Sequence, residues 1–248
     1  MKADARREDG DNFGLGGTFV INVRSFVERR RHIERQLDPL GLRYEFIHDY
    51  DVPDLQDEAA LRYLQGSGLS PAQQSCAMKH VQAHRLLIER NWRRALILED
   101  DVILLPGFVQ GVRDALAESS GFEEPFVLFI GSGGNLYTPR SRLVPGRRLY
   151  RSSRGRLAEA YIVGRRAAEL RVSWIEQHGI VLPADNLFER IDREQSIASY
   201  WLEEPVAVQG SKNGTFRSAL EPAPPKFVQR IKFALQRLRR KYFYRAQA

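Results

Sequence analysis

Three successive carboxylates, Glu99-Asp100-Asp101, follow directly on the apolar run Ala95-Leu96-Ile97-Leu98. Neighbouring carboxylates repel one another, and desolvation beside a hydrophobic strand worsens the repulsion. A divalent cation removes that conflict. Hard oxygen donors suit Mn2+ or Mg2+, which commonly share coordination with substrate phosphates, and such an ion stabilises the charge that develops on a departing diphosphate. The same triplet also serves a solvated loop or the run-in to a helix near Pro106, and a metal-dependent phosphatase or nuclease would carry it as readily.

The elements that position this step are legible around it. Residues 18–23 (Thr-Phe-Val-Ile-Asn-Val) have the pattern of a short buried strand. A charged helix over 28–36 follows, with Ile33, Leu37 and Leu40 at helical spacing and Pro39-Leu40-Gly41 ending it. Residues 44–47 give a second strand, running into the polar segment His48-Asp49-Tyr50-Asp51. Ser70-Pro71 pairs an N-cap with proline at the first helical position, opening a helix that extends to Asn91. Residues 126–130 and 160–163 add apolar strands, the second followed by a helix from Arg165 to Gln177. Strands alternating with helices predict an α/β domain with a mainly parallel sheet, and such sheets gather ligands at the carboxyl ends of their strands.

Cys76 is the single cysteine, so no intrachain disulfide forms and a reducing, cytoplasmic compartment is expected. Residues 1–17 are polar and glycine-rich, a flexible start with the pattern of neither a signal peptide nor a span. Nowhere does an apolar run approach the about 18 residues a spanning helix needs. Eight basic residues and no acid lie in 226–248; taking those eight from the net charge of +7 leaves residues 1–225 at −1. The basicity is a tail property, and no specific nucleic-acid binding is expected of the body.

Val20-Ile21-Asn22-Val23, then Arg29, then Leu96-Ile97-Leu98-Glu99-Asp100-Asp101-Val102 resembles glycosyltransferase family 25, the lipopolysaccharide and procollagen galactosyltransferase group. The helix ahead of the acidic motif, containing Cys76 and His80, is similar to the family's Gly-Cys and Ser-His helix. Ala160-Tyr161-Ile162-Val163, Leu182-Pro183-Ala184-Asp185 and the stretch from Pro205 to Gln209 follow in the family's order, so the resemblance covers about residues 18–218. Gln73, Ser75, Lys79 and His84 depart from it, where the family has glutamate, glycine, serine and tryptophan.

The resemblance implies a GT-A-like (Rossmann-like) fold over 18–221, a UDP-sugar donor, galactose foremost, and inversion at the anomeric carbon. It makes Asp101 the principal metal ligand, with Glu99 and Asp100 sharing metal, ribose or donor-sugar contacts. Asn22 and Arg29 become candidates for uridine or phosphate, although a run of arginines is also a solvated helix face. Asp51 becomes a candidate for lining the donor pocket, with a polar turn as its plainer alternative. Asp185 becomes the candidate base that takes the acceptor hydroxyl proton, with an ordinary N-cap as the alternative. His80 and His84 stand four apart, yet no adjacent glutamate or third ligand completes a zinc motif; Cys76 is expected simply to pack. Gly131-Ser132-Gly133-Gly134 lacks the Lys-Ser/Thr of a phosphate loop and is expected to be flexible, lying over the substrate.

Pro222, Pro224 and Pro225 mark a linker, and 222–248 forms a separate tail. Phe227, Ile231, Ala234, Leu235, Leu238 and Tyr242 recur at helical spacing among the cations, the pattern of a basic amphipathic helix. The expected protein is a bacterial transferase, peripheral on the inner face of the cytoplasmic membrane. Its acceptor would be a saccharide or glycolipid, such as lipopolysaccharide core. Two rival classes share these features: a phosphoester hydrolase, and a non-catalytic membrane or nucleic-acid binder on a degenerate transferase fold.

Overall fold

The computed structural model describes residues 12–135, 137–152, 157–211 and 226–243. Residues 1–11 of the expected flexible start and the proline linker lie outside these residues; 12–17 are instead packed into the fold, with Asn12 and Leu15 buried and Gly17 opening the first strand. In chain order the elements begin β1 (Gly17–Ile21), α1 (Val27–Leu37), β2 (Tyr44–Ile47), α2 (Glu58–Leu64), α3 (Pro71–Glu89), β3 (Arg94–Glu99) and β4 (Val102–Leu104). They continue α4 (Phe108–Glu118), β5 (Phe126–Phe129), β6 (Leu149–Ser152), β7 (Ala160–Gly164), α5 (Arg165–His178), α6 (Ala184–Glu194), β8 (Ala198–Leu202), β9 (Ala207–Gln209) and α7 (Lys226–Phe243).

Seven strands form one sheet in the order β2-β1-β3-β7-β5-β8-β6, and β4 pairs with β9 in a separate ribbon. β1, β2, β3, β5 and β8 run one way, β6 and β7 the other. The plan is α/β with a mixed sheet, parallel over its first three strands and interrupted by the reversed β7. All five residues of β7 are buried, as suits a central strand covered on both faces. A continuous apolar run carries no mark of its direction, so the reversal was not legible.

Cores lie on both faces of the sheet. Val20, Leu96, Leu98, Leu128 and Ile162 face one of them, packed with Ile33 and Leu37 of α1 and Val112 of α4. Phe19, Ile97, Val127, Tyr161 and Val163 face the other, against α3 and α5. Alternate residues of each strand point to opposite faces, so helix-covered strands are apolar at every position. α3 opens as its sequence predicts: Ser70 Oγ accepts from Gln73 N at 3.4 Å, and Gln73 Oε1 accepts from Ser70 N at 3.0 Å. That reciprocal capping gives Gln73 a role glutamate would also fill.

The other departures from the family pattern have local partners too. Ser75 Oγ donates to Tyr50 O at 2.7 Å. His84 Nε2 lies 3.1 Å from the Tyr161 hydroxyl. Lys79 is buried, donates to Asp49 O at 2.8 Å and pairs with Asp51 Oδ1 at 2.8 Å.

Candidate functional site

β1 and β3 are adjacent and parallel, in register from Gly17↔Ala95 to Ile21↔Glu99. Their carboxyl ends therefore deliver Asn22 and the acidic step to the same edge. A cleft of about 530 Å3 opens there, lined by Asn22, Arg29, Asp51, Glu99, Asp100 and Asp101 among others. Every donor-side residue singled out in the sequence meets in this cleft. Asp185 is not among its lining residues.

The three carboxylates differ sharply in their surroundings. Asp100 is satisfied from within the chain: Asn22 Nδ2 donates to its Oδ2 at 2.8 Å and Arg29 Nη1 to its Oδ1 at 3.1 Å. Asn22 is held in turn, its Oδ1 lying 3.0 Å from His48 Nε2. Burial pushes the Asp100 pKa up, against Arg29 and Asn22, which lower it. Glu99 accepts from Gln209 Nε2 at 3.2 Å through Oε2. Asp101 is buried, its Oδ2 accepting from Ser211 N at 3.0 Å. Its Oδ1 has no hydrogen-bond partner among the described residues. Burial first, and then the charge of Glu99, push the Asp101 pKa up to about 7.

Arg29 is not on a solvated face. Arg29, His32 and Gln36 share one side of α1, spaced i, i+3, i+7. His32 Nε2 lies 3.0 Å from Val102 O, and Gln36 Nε2 donates to the same oxygen at 2.9 Å. Gln36 Oε1 accepts from Leu104 N at 2.8 Å. This face of α1 thus braces the acidic step and the strand beyond it. The polar spacing was visible in the sequence but was hidden by the neighbouring arginines.

Asp51 is also more than a polar turn. Besides Lys79, it accepts from Arg24 N at 3.1 Å, and Arg24 lines the cleft beside Arg29. Gln209 and Ser211 were missed as site residues. The β4–β9 ribbon carries them over the carboxylates, and strands of three residues leave too short a pattern to read.

Cys76 lines the cleft. Cys76, His80 and Glu99 each place one ligand atom within 4.8 Å of the other two. The group with ligand-like spacing on α3 is thus Cys76 and His80 with Glu99 as its third member, a member the sequence did not reveal. Thiol and imidazole suit zinc, whereas Mn2+ and Mg2+ prefer the oxygens of Glu99 and Asp101. Burial and the nearby carboxylates push the Cys76 thiol well up.

Asp185 sits in the first turn of α6, after Pro183 at the N-cap position. It is not the cap; its Oδ1 accepts from Asn186 N at 2.9 Å. Burial raises its pKa, Glu99 adding to the rise and His80 opposing it. Its carboxyl thus feels the charge of the acidic step without lining the cleft.

The glycine run, expected to be flexible, is tied in place. Ser132 N donates to Ala207 O at 2.9 Å and Gly133 N to Glu159 Oε1 at 2.7 Å. A Cβ on Gly131 would stand 2.6 Å from Glu159 Oε1, so close approach explains that glycine.

The cleft stands at the carboxyl ends of parallel strands, where α/β sheets gather ligands, and carboxylates and arginines line it. The sequence pattern of glycosyltransferase family 25 (LPS biosynthesis protein) matches residues 16–182, and the chain belongs to this family. A "Glycosyltransferase 25 family member" of Drosophila melanogaster is 23% identical over 137 residues, 51% of this chain and 22% of that protein. One of Aedes aegypti is 25% identical over 144 residues, 54% of this chain and 22% of the relative. The chain thus spans about a fifth of the length of these relatives. Among solved structures, A197 from STIV is similar over 75% of this chain and 81% of its own, at 14% identity and TM-score 0.38. The inositol-1-phosphate CTP transferase from T. maritima is similar over 88% and 77%, at 8% identity and TM-score 0.35.

Proposed function

We propose that this protein transfers a hexose, galactose foremost, from a UDP-sugar to a saccharide or glycolipid hydroxyl with inversion, using Mn2+ or Mg2+. The observation that carries this reading is the unequal partnering of the acidic step. Asp100 is closed by Asn22 and Arg29, while the buried Oδ1 of Asp101, beside Glu99, has no partner among the described residues. A buried and a half-buried carboxylate with a spare oxygen fit a hard divalent cation, so Asp101 and Glu99 are the proposed ligands. Such a cation neutralises charge on the departing diphosphate. Arg24 and Arg29 add positive charge in the same cleft. Asn22, Asp51 and Asp100 hold its shape and are the proposed donor contacts.

Asp185 is the proposed base for the acceptor hydroxyl; burial raises its pKa, which makes it a stronger base than an ordinary carboxylate. Asp51 suits that task less, because Lys79 and Arg24 already occupy it. The family's association with LPS biosynthesis supports a lipopolysaccharide acceptor, while the insect relatives' names specify none.

Calorimetry with UDP, with and without Mn2+, tests the reading. The expected result is UDP binding at least about tenfold tighter with the metal, an increment of roughly 1.4 kcal/mol. UDP binding unaffected by any divalent ion would remove the proposal. Cleavage of UDP-sugars to UMP and sugar 1-phosphate without glycosyl transfer would favour the hydrolase instead.

A further inference from the structure

The C-terminal helix has a surface that sugar transfer does not use. Ile231, Leu235 and Leu238 recur at helical spacing on α7 and are 44%, 60% and 54% exposed. Large aliphatic side chains left in water on one stripe of a helix mark a face made to be covered. The body meets α7 at two places: Arg140 stacks over Tyr242 at the far end of the stripe, 5.1 Å from its ring, and Asn135 reaches the opposite side. Asn135 Nδ2 donates to Phe233 O and to Gln236 Oε1, both at 3.5 Å. Residues 233 and 236 lie across the helix from the 231-235-238 stripe.

Charge selects what covers the stripe. Lys226, Arg230, Lys232, Arg237, Arg239, Arg240 and Lys241 belong to this one helix, which has no acidic residue. Lys232 and Arg239 are exposed. A protein groove would need complementary acids around an apolar slot. A nucleic acid would use the cations and leave the stripe wet. An anionic lipid surface satisfies both at once, with hydrocarbon for the stripe and headgroups for the cations. Among the described residues no helix is long and apolar enough to cross a membrane, so the contact would be peripheral.

We propose that α7 docks this protein on an anionic lipid surface through Ile231, Leu235 and Leu238, with its cations among the headgroups. The body-facing side of α7 stays on the 131–135 segment. That segment bonds to Ala207 of β9, the strand that presents Gln209 to Glu99. Docking therefore holds the rim of the cleft near the lipid, where a lipid-linked acceptor would be met. The proposal itself does not rest on the catalytic reading.

The test is sedimentation of the full chain with vesicles of phosphatidylcholine alone or mixed with phosphatidylglycerol. Binding to the anionic vesicles should be at least tenfold stronger, and should weaken in about 0.5 M salt, where screening is short-ranged. The triple variant Ile231→Ser, Leu235→Ser, Leu238→Ser keeps every charge, and should bind anionic vesicles at least tenfold more weakly with an unchanged melting temperature. Equal binding to both vesicle types, or undiminished binding by the triple variant, would overturn the proposal. So would a lower melting temperature for the triple variant, which would place the stripe against the body. Tight RNA binding with no vesicle binding would assign the cations to nucleic acid. UDP binding, measured on the same samples, reports the catalytic cleft separately.

Discussion

Two clusters of buried charge lie near one another in this fold and are built in opposite ways. Under α5 and α6, Arg171 and Asp192 are closed on each other, Nε to Oδ1 at 2.8 Å and Nη2 to Oδ2 at 2.6 Å. Their side chains are 1% and 4% exposed, and the guanidinium also stacks over Phe188. At the cleft, Glu99 and Asp101 have the same sign, and Asp101 Oδ1 has no partner among the described residues. A buried charge that finds its counter-charge within the chain serves the fold. On the proposed reading, the like-charged pair at the cleft is held for a cation from solution.

The largest effects should separate the clusters cleanly. Arg171→Leu leaves Asp192 buried without its partner and should cost about 3–5 kcal/mol of stability. Thermal unfolding would report a fall of roughly 10 °C for a domain of this size, while UDP affinity below the transition stays nearly unchanged. Asp101→Asn should do the reverse. Removing the buried one of two repelling carboxylates should raise metal-free stability by about 1 kcal/mol at pH 8. The same change should abolish the metal-dependent gain in UDP binding. If Asp101→Asn instead destabilised the apo protein, the two clusters would be alike and the metal assignment would lose its physical basis.

Next in size is turnover. Asp185→Asn keeps the shape at the start of α6 and should lower kcat by about a hundredfold or more, the scale of a lost general base. UDP and metal binding should hardly change, because Asp185 stands outside the donor cleft. Activity retained by Asp185→Asn would send the search for the base back to the carboxylates near the acceptor.

Much of this comparison was legible because each element carried its own signal. The apolar run before Glu99, the Ser70-Pro71 cap and the second strand over 44–47 all stand where the sequence places them. What escaped depends on contacts between elements distant in the chain. Arg29 reads as one arginine among several until α1 is packed against Asp100, 71 residues on. Glu99 joins Cys76 and His80 only when β3 slides beside α3. Lys79 reads as a departure from the family until Asp51 is seen to pair with it. The Arg171–Asp192 pair gave no signal, since both residues look like ordinary charges on helices.

The smallest expected effect is a pH dependence from the polar layer joining the two clusters. His84 is fully buried between Tyr161 and Phe188, its ring 5.1 Å from that of Phe188. Burial, with the charge of Arg171 behind it, holds its pKa well below 6.5. The unfolded chain therefore takes up a proton near pH 6.5 that the folded protein refuses. Stability is full above that value and declines as pH falls beneath it, by at most about 1.4 kcal/mol per unit for one such group. His32 and His48 are lowered as well, also by burial first, and add in the same direction. Denaturant melts at pH 7.5 and pH 5.5 should show the decline. His84→Phe should reduce it, because the Tyr161 hydroxyl keeps His80 Nδ1 at 3.1 Å as a partner. A variant with an undiminished slope would assign the proton uptake to His32 and His48, near the acidic step, and detach His84 from the acid sensitivity of the fold.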